Sequence, residues 1–416
     1  MHAKHPKLVG AAGGRPGSSH RVGPTSAAFW VVLALLVTPL SSSAESWCAY
    51  PIWAHEWGVQ VFGGAKSAPL PLSFAHDSTG TVSEPTPVRD MDVDSGVRAL
   101  PVVSFFAPQT RFDTVPIGLE VGFSAGKAAL WFPQVDTLVD AATANAATAL
   151  DERQALLDAR AKRDPYGENP VLGADPTRQL VWETLSLEEK GKGSEKSTQT
   201  WVDALRKLDG ALWVERGAES ERFAFYEGRT DEKPLLEVER GDEWSDTRAH
   251  YVLKNPSAWP VHDVLVVRRV GKQAYVFYAP SIPAGKSAGF VLEDALQVGS
   301  DAFKEATRGQ LEKSLVDATT PTPPTDYDWS TGTCVMGRDP AVPVEVAEGH
   351  RLYQAEVDVL LDAWGPAFFE QEGTVVVYRE DPGYLDAMMP LSLYTDMYHF
   401  IELRRAGLVL WTDAQW

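Results

Sequence analysis

The chain has 416 residues, 44% of them hydrophobic and 23% charged, with a formal net charge of −19 at pH 7. That length supports more than one core, and the composition is that of a globular protein, not of a disordered or fibrous one. The acidic balance argues against nucleic acid or an anionic membrane surface as the main partner, since both need a basic face.

Residues 1–44 carry Lys4, Lys7, Arg15 and Arg21 and no acidic residue; removing those four charges from −19 leaves −23 on the remainder. The basic lead runs into AAFWVVLALLVTPL (Ala27–Leu40) and then SSSA, with small residues at Ser42 and Ala44. An apolar run this short suits a signal-peptide core cleaved near Ala44; the alternative is that the segment stays as an anchor. No later apolar run is long enough to span a bilayer. The expectation is an exported protein, periplasmic or extracellular, with no transmembrane span after signal removal.

Two cysteines, Cys48 and Cys334, lie in the exported part. In an oxidising compartment they most simply pair. A bond closing so long a loop would contribute about 4–5 kcal/mol by the chain-entropy model. The other reading is two buried thiols.

Residues 45–136 form a β-rich unit, opening with WAHEWGVQVFGG at residues 53–64. His55 stands beside Glu56, flanked by Trp53 and Trp57, and such a pair suggests metal or acid/base chemistry. Trp57, Val59 and Val61 alternate with Gly58 and Gln60 as in a half-buried strand, which puts His55 and Glu56 at the strand's start. His76-Asp77 follows 21 residues after His55. A hairpin or loop would gather His55, Glu56, His76 and Asp77 into one cluster; the alternative is two exposed strand-edge pairs. No His-Glu-x-x-His or Cys-x-x-Cys signature is present. Asp90, Asp92 and Asp94 alternate before Gly96 as in oxygen-rich calcium loops, but Pro101 stands where an EF-hand needs its bidentate Glu. A weak calcium site and a solvated acidic turn both remain open. ALPVVSFFAP, VPIGLEVGF and KAALWFPQV then read as short strands broken by Pro and Gly.

Residues 137–175 switch to Ala-rich helical composition and a loop, with a weak stripe from Leu138, Leu150, Leu156 and Leu157. Residues 176–298 read as an antiparallel, Ig-like β-sandwich, its strands separated by turn signals at Asn255-Pro256, Gly271-Lys272 and Pro283 to Gly285. His250 and His262 flank strands there as surface or cross-strand polar residues. Gly285-Lys286-Ser287 imitates a phosphate-loop tail, but Pro280 replaces its first glycine, so that reading is rejected. Residues 299–329 are a helix capped by Ser300, with Phe303, Leu311 and Leu315 inward, followed by a Pro/Thr linker. Residues 330–416 form a small α+β unit. Its helix puts Tyr353, Val357, Leu360, Leu361 and Trp364 on one face, with Gly365-Pro366 expected to break or kink it. The strands TVVVYRE and RRAGLVLW close the chain. Of the 14 tryptophans one is in the signal, and the rest are scattered as core fillers, not gathered as sugar platforms.

The segments AHEWGVQVF, LPVVSFFAPQ, ALWFPQVD, ERFAFYEGR, LYQAEVDVLLDAWGPAFFEQEG and LDAMMPLSLY follow one another in an order that resembles an uncharacterised family of exported bacterial proteins. That family is marked by a His-Glu-Trp-Gly motif after the signal peptide. Here the residues after Gly58 are Val-Gln-Val-Phe where the family more usually continues Thr-Phe-Thr. The resemblance implies export and a shared full-length architecture, and carries no activity, ligand or catalytic residue. Two functional expectations follow. One is a non-catalytic envelope or extracellular module that binds a protein or glycan. The other is a metal-assisted or acid/base hydrolase using His55 and Glu56.

Overall fold

The computed structural model describes residues 51–64, 67–81, 96–107, 113–139, 179–240, 250–292, 294–317, 326–328, 333–335, 349–395 and 400–412. All of them belong to one compact unit, Ser46–Trp416. The segments for the signal peptide (1–44), Cys48, the Asp90, Asp92 and Asp94 triplet, most of the helical insertion and the Pro/Thr linker at 318–325 lie outside the described residues. The proposed disulfide therefore has one partner outside them.

The fold is mainly β, built on an eleven-stranded sheet. Its strands are β1 (Pro51–Phe62), β2 (His76–Asp77), β3 (Gly80–Thr81), β4 (Gly96–Phe106), β5 (Lys127–Phe132), β6 (Ala224–Thr230), β7 (Val261–Val270), β8 (Gln273–Ile282), β9 (Ala295–Gln297), β10 (Gly373–Glu380) and β11 (Phe400–Thr412). Across the sheet they run β9-β8-β7-β10-β11-β1-β4-β6-β5-β2-β3. β1 pairs in parallel with β11 and antiparallel with β4. The middle strands need cover on both faces, which is why β7 (VHDVLVVRRV) and β10 (GTVVVYRE) carry near-continuous valines instead of alternating with polar residues.

One face is covered by helices: α1 (Thr200–Leu205), α2 (Asp301–Ala306), α3 (Arg308–Leu315), and the long α4 (Gln354–Phe369). Trp53, Trp57, Val59, Leu265, Val267, Val375 and Val377 of the sheet pack there against Trp201, Phe303, Leu311, Leu360, Trp364 and Phe368. The other face is covered by two smaller sheets. A six-stranded one, built around Thr114–Gly122 and Gln179–Glu188, meets Ile52, Ala54, Val103, Phe105 and Trp131. A three-stranded one (Glu237–Arg240, His250–Lys254 and Ser287–Val291) meets Val264, Val266, Val376, Tyr378 and Val409. A fifth helix, α5 (Pro382–Met388), leads from β10 toward the strand Leu391–Thr395. Each large apolar side chain buried this way contributes roughly 1.5–3 kcal/mol, so the layers themselves hold the sheet.

The three segments read as separate β or α+β units contribute neighbouring strands to this one sheet. Residues 179–297 are shared among the eleven-, six- and three-stranded sheets instead of closing on themselves as a sandwich. The reason is β10: its apolar run is hydrogen-bonded between β7 and β11, which ties the middle of the chain to its end. Leu138, expected in a helix, lies in the strand Thr137–Val139, paired with Gln179–Glu188. Ser300 caps α2 through the Phe303 N–H, with Phe303, Leu311 and Leu315 buried as expected. α4 does not break at Gly365-Pro366 but continues to Phe369. Asp362 and Pro366 both face solvent, so the carbonyl that loses its donor stays hydrated, while buried Trp364, Phe368 and Phe369 hold the last turn.

Candidate functional site

The His-Glu-Trp-Gly segment lies mid-strand in β1, at the centre of the largest sheet, not at a strand's start as the sequence suggested. Nor is the strand half-buried: both faces are covered, and His55, Glu56, Trp57 and Gln60 are all buried. Odd positions (Trp53, His55, Trp57, Val59) turn toward the helices, while Ile52, Ala54 and Glu56 turn to the opposite face.

On the helix side, His55 Nδ1 lies 2.6 Å from Glu356 Oε2, with both side chains essentially without exposure. Glu356 is the third residue of α4, and the same oxygen accepts the Tyr353 backbone N–H at 3.1 Å. One carboxylate thus caps the helix and ties it to the central strand. The imidazole packs between the rings of Phe106 and Tyr353, with centroids at 5.1 and 4.6 Å. Among the described residues its Nε2 has no hydrogen-bond partner, nor do Ser104 Oγ on the adjacent strand and the Tyr353 hydroxyl.

On the other side, Glu56 is paired with Arg405, its direct neighbour across the β1–β11 ladder, and accepts the Tyr226 hydroxyl of β6. Arg405 is fully engaged: Nη1 reaches Asp386 at 2.9 Å and Nη2 donates to the Met389 carbonyl at 2.8 Å. Burial opposes the charge on Arg405, but the Glu56 carboxylate outweighs it and holds the guanidinium above its ordinary value. Burial, with the Glu56 charge second, keeps the Tyr226 phenol protonated far above its usual range.

A second buried ionic group adjoins the first. Arg98 of β4 bridges Glu232, at 2.8 Å through Nη2, and Glu380 at the end of β10, at 3.0 Å through the same nitrogen. Tyr384 donates to Glu232 at 3.0 Å. Two carboxylates share one arginine, and their fates differ. For Glu232, Arg98 overcomes the cost of burial and holds it below the ordinary value, whereas burial wins at Glu380 and raises it. Glu56 and Arg98 also line a pocket with Gly58, Pro101, Leu385 and Gly407, of about 10 Å³. That is room for about one water.

Gly58 has a specific steric reason. Around it the β1–β4 register shifts between Trp57 and Val59, because β4 carries Pro101, which has no N–H for the ladder. A Cβ at position 58 would stand 3.0 Å from the Pro101 Cα, tighter than ordinary van der Waals contact, so a side chain there requires the Pro101 backbone to give.

The four residues expected to cluster do not meet. β1 and β2 are separated by β4, β6 and β5, so at ~4.8 Å per strand the two segments are roughly 19 Å apart. His76 pairs with Glu219 and stacks on Phe132. Asp77 Oδ1 accepts the Thr79 hydroxyl and N–H, each at 2.7 Å, and the Gly80 N–H at 3.1 Å, closing a turn; the hydroxyl first and then those amides hold its carboxyl below the usual value against slight burial. Among the described residues no group of three or more His, Cys, Asp or Glu is arranged to hold a metal ion. None of their helices is long and apolar enough to cross a membrane. Glu356, Tyr226 and Arg405 escaped sequence reasoning. The one available signal was Arg404-Arg405 inside an otherwise apolar strand, since charges there demand internal partners.

No protein-family model matches the chain, and no curated protein matches it. Among solved structures, the Fcho1 Mu homology domain of Danio rerio with bound Eps15 peptide aligns over 88% of this chain and 96% of that one, at 6% identity and a TM-score of 0.28.

Proposed function

We propose that the chain is an exported envelope or extracellular protein that serves as a non-catalytic binding or structural module for a protein or glycan. In this reading the His-Glu-Trp-Gly segment is an internal fastening. The observation that carries it is the commitment of the motif's charges: His55 to Glu356 and helix α4, Glu56 to Arg405 and Tyr226, all buried. The signal-like residues 1–44 and the segment order shared with exported bacterial proteins support the location.

The hydrolase reading draws on one observation, the His55 Nε2 without a partner among the described residues, beside a carboxylate-held Nδ1. That imidazole has no exposed surface, and the pocket beside Glu56 holds about one water. The deciding experiment pairs a pull-down from the native envelope, using the tagged mature chain, with a panel of chromogenic ester, peptide and glycoside substrates. The proposal expects a reproducible protein or glycan partner, captured equally by a folded Glu56→Gln variant, and no turnover. Turnover abolished in Glu56→Gln with its fold intact would overturn it.

A further inference from the structure

Away from the motif, a polar cluster sits where β7 begins and β10 ends. Asp263, in β7, has φ 51, the one non-glycine residue at positive φ among the described residues. It lies at a bulge where the β7–β10 register shifts between His262 and Leu265. Backbone held in this region costs free energy and persists where the surroundings over-determine it. Here the bulge turns the Asp263 carboxylate inward, where Oδ2 accepts Arg379 Nε at 2.8 Å and Ser314 Oγ at 2.7 Å, and Oδ1 accepts the Tyr278 hydroxyl at 3.0 Å.

Counting donors against acceptors shows an imbalance. Both oxygens of Asp263 are engaged. Asp381 caps α5 through the Gly383 N–H at 2.9 Å and holds His262 Nε2 at 3.2 Å, so its oxygens are engaged too. The donors are not. Beyond the Nε bond, the guanidinium of Arg379, whose side chain is 7% exposed, has no hydrogen-bond partner among the described residues. His262 is its neighbour across the ladder. The half-buried His350 ring, within electrostatic reach of Arg379, Asp263, Arg351 and His262, has no bonded partner among them either. Arg351 adds a second cation, with one nitrogen on the Val316 carbonyl at 2.9 Å. In a protein of net charge −19, this is a place where Arg379, Arg351 and two histidines gather beside two carboxylates whose oxygens are each already engaged.

We propose that Arg379, His350 and His262 form a binding site for a small oxyanion group, a carboxylate or a phosphate. With Nε of the planar Arg379 fork held by Asp263, Nη1 and Nη2 are left to donate to two oxygens, the pair that bidentate recognition requires. Burial and then the Arg379 charge hold the His350 imidazole down at about 4, so it is neutral near pH 7. A bound anion offsets Arg379 and Arg351 and lets His350 take up a proton, so affinity rises as pH falls below neutral. Asp263 and Asp381 oppose a second negative charge, which favours a singly charged group over a fully ionised phosphate. The site stands apart from the His-Glu-Trp-Gly fastening and is independent of the non-catalytic reading.

The test uses the full chain, titrated separately with sodium acetate and sodium phosphate. Binding is followed by calorimetry and by the imidazole nitrogen resonances of His350 and His262. The proposal expects a saturable shift of both imidazoles with at least one ion, tighter at lower pH. Tighter acetate binding would assign a carboxylate ligand; tighter phosphate binding would assign a phosphoryl group. Arg379→Gln should weaken binding about tenfold or more, the worth of a charge-assisted contact. Because Arg379 also secures Asp263, His350→Gln at a half-buried turn position provides a second variant, expected to remove most of the pH dependence. No saturable shift with either ion, or binding undiminished in both variants, overturns the proposal.

Discussion

Replacing Glu56 by Gln removes one charge while preserving shape and the acceptor for Tyr226. The side chains of Glu56 and Arg405 are 5% and 4% exposed. Breaking one partner of such a pair costs about 3–5 kcal/mol, because the remaining ion stays buried without compensation. Asp386 keeps its 2.9 Å contact to Arg405, but its side chain is 66% exposed and therefore screened, so it offsets little. Gln still accepts hydrogen bonds, which places the expected loss near the lower figure, about 3 kcal/mol. At about 2.1 cal/mol/K per residue, the roughly 370 residues from Ser46 to Trp416 give an unfolding entropy near 0.8 kcal/mol/K, and Tm falls by about 4 °C. Urea unfolding followed by far-UV circular dichroism measures the loss. The double variant Glu56→Gln/Arg405→Met, with neither charge left, should recover much of it. A Glu56→Gln loss below about 0.5 kcal/mol, or a double variant no better than either single one, refutes the argument.

Gly58→Ala should cost about 1–3 kcal/mol, since the new methyl meets the Pro101 backbone at the bulge; urea midpoints check it. Trp364→Ala should lose about 3–5 kcal/mol by the same measurement, because its ring is fully buried in the helix-facing core. His350 refuses in the folded state a proton that the unfolded chain binds near pH 6.5, so stability rises with pH between about 4 and 6.5 and levels off above. His350→Gln should flatten that slope in urea midpoints taken across the window, and an unchanged slope contradicts the sign. Asp77→Ala should cost about 1 kcal/mol or less, as expected of an exposed turn, and leave partner capture unchanged.

Strand positions, the capped helix after Ser300 and the inward face of α4 were legible because alternation, turn residues and capping are local properties. Residues that become neighbours only after folding were not. Glu356 is 301 residues from His55, and Arg405 is 349 from Glu56. No spacing rule links positions so far apart. A two-residue pattern also shows that one face of β1 is apolar, but not that a second layer covers the other; the strand read as half-buried, with Gln60 on its polar side, for that reason. Composition and local pattern by themselves determined an acidic, mainly β chain rich in aromatic residues. Where His55 and Glu56 sit and what they bond was decided only by the parallel pairing of β1 with β11 and by α4 laid across them. Burial and counterions, not residue identity, set what a charged side chain can do.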